Sequence, residues 1–143
     1  MARKNGNPLT IDHHDALIYV MVLAAAVDRR MSDRELKMIG AITGSLPVFA
    51  DFDRERLVQV AQDCAAVVDQ ENGVEAVLDM VQAALPQHLR ETAYALACDV
   101  SASDRRIGAE EMRFLDIVRR RLGVGRLAGA AIERGARARF MTL

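Results

Sequence analysis

The chain has 143 residues, a formal net charge of −1, 51% hydrophobic and 27% charged residues, and 4% aromatics with no Trp. That length suits one domain with a single sizeable core, and the composition excludes a disordered chain. The small net charge leaves only a weak whole-molecule field. The longest apolar run, Ala16 to Val27, falls well short of the roughly twenty residues a membrane span needs.

Residues 1–11 are polar, contain Gly6 and Pro8, and are expected to fray ahead of one domain over 12–143. The opening MARKNGNPLT has two basic residues but no apolar stretch behind them, so no signal peptide is expected. Asp12 suits the N-cap of a first helix over 13–28. His13 and His14 in its first turn point about 100° apart, cannot both reach one ion, and are expected at the surface. Ala16 to Val27 is apolar all round, which places this helix in the middle of the protein.

Ser32 and Glu35 form a Ser-x-x-Glu capping box for a second helix, with Leu36, Ile39 and Ile42 as its apolar stripe, ended by Gly44 and Pro47. Phe49 and Phe52 in the following connector are expected to anchor in the core. Asp53 caps a third helix, 54–70, with Leu57, Val60, Ala61, Cys64 and Val68 on one face. Asn72-Gly73 marks a turn before a fourth helix, 74–84. Pro86 fits the first turn of a fifth, 86–103. A sixth, 109–122, carries Met112, Leu115, Ile117 and Val118 and closes at Gly123, and a seventh spans 125–138. No alternating β-branched runs occur, so the fold class is all-α.

The design of the first two helices recurs 76 residues later. Asp15–Thr43 laid over Glu91–Arg119 matches Asp28 with Asp104, Arg29 with Arg105, Arg30 with Arg106 and Glu35 with Glu111. The chain therefore reads as a duplicated helix–acidic loop–helix unit. Asp28 and Asp104 each stand at a helix C-terminus, where a carboxylate is unfavourable by a few tenths to about 1 kcal/mol. The next helix N-terminus, the neighbouring arginines or a bound cation would each offset that, and Glu35 and Glu111 would complete a cation site. Neither loop has the alternating acids or the bend glycine of an EF-hand, and the arginines oppose a divalent ion. Purely structural caps are the simpler account of both loops.

On the fifth helix His88, Thr92, Asp99 and Ser103 lie within about 40° of one line. Asp99 needs a partner there, whether an arginine of the C-terminal segment, a helix end or a cation. Asp51 to Asp79 carries eight acids against Arg54 and Arg56, and Arg119 to Arg139 seven arginines against Glu133. The two segments either face each other or face different partners. Cys64 and Cys98 sit in apolar helical patterns and are expected as buried free thiols in a reducing, cytoplasmic compartment. No phosphate loop, His-Glu-x-x-His or nucleophile elbow is present, so no enzyme is expected. The arginine-rich end lacks interleaved aromatics, so no nucleic-acid partner is expected either.

The stretches DALIYVMVLAAAVDRRMSDREL, LPVF and ETAYALACDVSASDRRIGAEE resemble the tellurite-resistance TerB family over roughly residues 12–139. The resemblance implies a seven-helix bundle with internal pseudo-symmetry and an association with resistance to tellurium oxyanions and other stress. It also implies a divalent-metal link, calcium among the candidates, at Asp28, Glu35, Asp104 and Glu111, with Asp99 less securely placed. The usual Asp-Gly loop is here Asp-Arg, with Arg29 and Arg105 in the glycine position. The chain is best accounted for as a non-enzymatic cytoplasmic TerB-like module that works with protein partners in a stress complex, membrane-associated but without a transmembrane segment. The alternative is a protein-interaction scaffold whose acidic loops are only structural.

Overall fold

The computed structural model describes residues 11–27, 31–103 and 107–143. Among them are seven α-helices and no strand: α1 (His13–Ala25), α2 (Asp33–Ser45), α3 (Leu57–Val68), α4 (Gly73–Ala84), α5 (Arg90–Ala102), α6 (Ala109–Arg121) and α7 (Arg126–Arg139). Of the segment expected to fray, residues 1–10 lie outside the described residues.

The all-round apolar α1 sits where its composition demands, with every residue after His13 buried. It packs most extensively on α5, and also on α3 and α4, while α7 packs on α5 in turn. Both rods are 13 residues long and both lead into 13-residue capped helices. Corresponding positions behave alike across the repeat. Ile39 and Leu115 are buried, as are Ile42 and Val118, whereas Leu36 and Met112 are both exposed. The pseudo-symmetry expected from the sequence is thus built into the packing, with the two rods side by side at the centre.

Two helix starts differ from expectation. Asp53 does accept an amide hydrogen bond, from Glu55, but the turn it opens is a 3-10 helix over Arg54–Arg56 and α3 begins only at Leu57. Pro86 stands before a 3-10 turn at Gln87–Leu89, not inside the α-helix, because its extended backbone (ψ 157°) is not helical. The apolar stripes are also narrower than periodicity suggested. On α2 the inward line is Glu35, Ile39, Ile42 and Thr43, which leaves Leu36 45% exposed. On α6 it is Leu115 and Val118, so Met112 and Ile117 face out.

The turn into α4 is tightly specified. Asn72 adopts the left-handed conformation (φ 57°), which Asn tolerates better than most residues. Gly73 follows, buried, and a Cβ there would fall 2.3 Å from the carbonyl oxygens of both Val67 and Val68. Those are backbone atoms that cannot turn aside. Gly73→Ala is therefore expected to cost about 1–3 kcal/mol in urea unfolding. Asn72→Gly next to it should stay within about 1 kcal/mol of the parent; equal losses at the two positions would refute the steric account.

Candidate acidic site and its surroundings

Asp28 and Asp104, with Arg29, Arg30, Arg105 and Arg106, lie outside the described residues. The glutamates paired with them by the repeat do lie within. Glu35 is buried in the first turn of α2, where its Oε1 accepts the Ser32 amide at 2.8 Å while the Ser32 hydroxyl accepts the Glu35 amide at 3.1 Å. This is the capping box read from the sequence. Glu111 does the same half of this work on α6, its Oε1 accepting the Gly108 amide at 3.1 Å. Glycine has no hydroxyl, so the reciprocal bond is absent from the second copy. Each glutamate thus closes the entry to the helix that follows a core rod.

Asp99 on α5 is held by an ion pair with Arg139 of α7, the arginine partner that its inward position called for. The polar stripe around it is divided: His88 is exposed, Thr92 and Asp99 are half-buried, and Ser103 is buried with its hydroxyl donating to the Val100 carbonyl at 2.7 Å. Among the described residues, no three or more His, Cys, Asp or Glu side chains gather as a metal-holding group.

The oppositely charged segments do meet. Arg121 of α6 donates to Glu75 at 2.9 Å, to Asp79, and to the Gln82 side chain at 3.3 Å, all on α4. Arg119 and Arg120 are taken up locally by Asp116.

The first turn of α1 departs from the surface reading given to its histidines. His14 is buried, its ring 5.5 Å from Phe49 and 5.4 Å from Phe52. Its Nε2 donates to the Val48 carbonyl at 2.8 Å and lies 3.3 Å from Asp51 Oδ1. A carbonyl can only accept, so Nε2 carries the proton. The neighbouring Asp15 is buried as well and pairs with Arg56 at 3.0 Å, whose guanidinium also lies over the Phe52 ring. The reason is the connector: the two phenylalanines expected in the core carry Val48–Phe52 over this turn. Spacing within α1 holds no signal of that long-range cover.

A groove of about 670 Å³ opens between α5, α6 and α7. Buried Tyr94, Cys98, Ala102, Leu115 and Ala136 lie along its floor. The Tyr94 hydroxyl donates to Glu133 on the α7 wall. Burial, then the hydrogen bond to Glu133, pushes the Tyr94 hydroxyl pKa far up. Burial also pushes the Cys98 thiol up to about 12, although the Tyr94 hydroxyl beside it acts the other way. Cys64, buried against the Tyr19 carbonyl, is likewise raised to about 12 by burial and then by Asp63. Both cysteines are free, as expected, and both are poor nucleophiles, since the thiolate is the reactive form.

Compared with known proteins, residues 14–133 match a family model described as Tellurite resistance protein TerB. No curated protein and no solved structure matches the chain. Among the described residues no helix is long and apolar enough to cross a membrane.

Proposed function

The chain belongs to the TerB family, and from that premise we propose that it is a non-enzymatic module of tellurite and stress resistance, working with protein partners and holding a divalent cation at its duplicated acidic turns. The observation that supports the cation is the equivalence of Glu35 and Glu111. Each stands in the first turn after one copy of the loop and fixes the amide three residues back. Carboxylate and carbonyl oxygens are hard donors, suited to calcium or magnesium more than to softer ions. Asp28 with Glu35, and Asp104 with Glu111, would hold the ion. Asp99 has the weakest claim, because its carboxylate already holds Arg139. When bound, the ion would offset the unfavourable carboxylate at each rod's end and tie the rod to the next helix.

A second reading, a protein-interaction scaffold with structural loops only, is favoured by the complete capping box at Ser32 and Glu35, which needs no ion. Calorimetry and melting of the full chain with calcium, magnesium and zinc separate the two. The metal reading expects saturable heat and a rise in Tm that follows ion concentration, both lost in Asp28→Asn/Asp104→Asn. Absence of heat and of any melting shift at millimolar ion would leave the scaffold reading alone standing.

A further inference from the structure

We propose that the groove between α5, α6 and α7 binds a single-chain anionic amphiphile of the fatty-acid class, its tail on the apolar floor and its carboxylate on Arg134 and Arg137. The groove's lining residues Ala102 and Ile107 flank the second acidic loop, but the proposal uses neither Asp104 nor Glu111 and does not rest on the metal reading.

Its volume, about 670 Å³, lies in the range of small-molecule sites, and its floor is apolar and buried. Arg137 lines this groove and also a second, shallower depression of about 360 Å³ formed with Arg134, Ala138 and Met141. The rims carry exposed methionines, Met112 at 63% and Met141 at 75%. Methionine is the side chain that adapts best to a flexible apolar ligand.

Charge decides the head group. The carboxylates at the groove are engaged: Glu133 by the Tyr94 hydroxyl, Asp116 by Arg119 and Arg120. Arg134 and Arg137, three apart on one helix and so on one face, have no carboxylate partner among the described residues. A guanidinium pair beside an apolar trough suits a carboxylate that it can grip with two parallel hydrogen bonds. The occupant is a single molecule rather than a membrane, because the apolar surface lies inside a groove walled by three helices and several arginines of this end are held by the protein's own carboxylates. Arg121 holds Glu75 and Asp79, and Arg139 holds Asp99. Of the arginines in the last three turns of α7, that leaves the pair Arg134 and Arg137 without a carboxylate among the described residues.

The test titrates the full chain with dodecanoate below its micelle concentration, read by calorimetry and by the methyl NMR signals of its methionines. Saturable one-to-one heat is expected, with Met112 and Met141 shifting together. Arg134→Gln/Arg137→Gln, both at exposed positions, should weaken binding at least about tenfold, and Met112→Glu at the rim should weaken it independently. Dodecyltrimethylammonium, of equal tail length and opposite charge, should bind at least about tenfold more weakly. Absence of heat, equal affinity for the cation, or no effect of the arginine pair would overturn the proposal. So would binding to phosphatidylglycerol vesicles with none to dodecanoate.

Discussion

Between pH 9 and pH 12 the protein should lose stability at a rate set by two buried thiols. Cys64 and Cys98 each rise from 9.0 to about 12 in the folded state. Below pH 9 both folded and unfolded chains keep these protons, and the thiols' contribution is fully present. Above it the unfolded chain releases them while the folded chain holds them, so unfolding gains. Each thiol changes the unfolding free energy by about 1.4 kcal/mol per pH unit, and the two together by roughly 2.7. By pH 11 that amounts to about 5 kcal/mol, comparable to the whole stability of many domains. Tyr94, with its hydroxyl raised by burial and then by Glu133, steepens the fall above pH 10. Urea unfolding at stepped pH under reductant measures the slope. Cys64→Ala should halve it between pH 9 and 10, and Cys64→Ala/Cys98→Ala should flatten it there. A double variant that kept the parent slope would show that other groups carry the alkaline transition.

Those thiols also mark how far the sequence can be read. That Cys64 and Cys98 are buried follows from their place in apolar helical patterns, as α1's centrality follows from a run with no polar face. Ser32 with Glu35 announces α2 because a cap is a local device: its donors and acceptors lie within three residues. The repeat was legible for the same reason, since both copies solve one local problem, how a core rod ends and the next helix begins. Non-local features left no such trace. His14 looks like a surface residue of a first helical turn until Phe49 and Phe52, more than thirty residues on, are laid against its ring. Leu36 and Met112 fit their helices' apolar period, yet α2 and α6 bury only narrow faces. The floor of the groove draws Tyr94, Leu115 and Ala136 from three helices, a convergence that no single periodicity encodes. Arg139 was legible only as one of three kinds of partner for Asp99, because ion pairing across the bundle depends on how α7 lies against α5.

The centre of α1 should be the most sensitive part of the molecule to lost volume. Leu17 and Ile18 are fully buried and adjacent, so they point about 100° apart on a helix with packed neighbours on several sides. Shortening either leaves a hole that no single neighbour can close, because the rod is clamped by α3, α4 and α5 together. Leu17→Ala and Ile18→Ala are each expected to cost about 2–5 kcal/mol. Leu36→Ala removes the same atoms as Leu17→Ala, but from a residue on α2 that is already 45% exposed, and should cost under about 1 kcal/mol. That contrast, measured by urea or thermal unfolding, tests the architecture as well as the residues. Were α1 an ordinary amphipathic surface helix, one of the two adjacent core substitutions would be nearly silent. With a central rod neither can be, since every side of the helix faces protein.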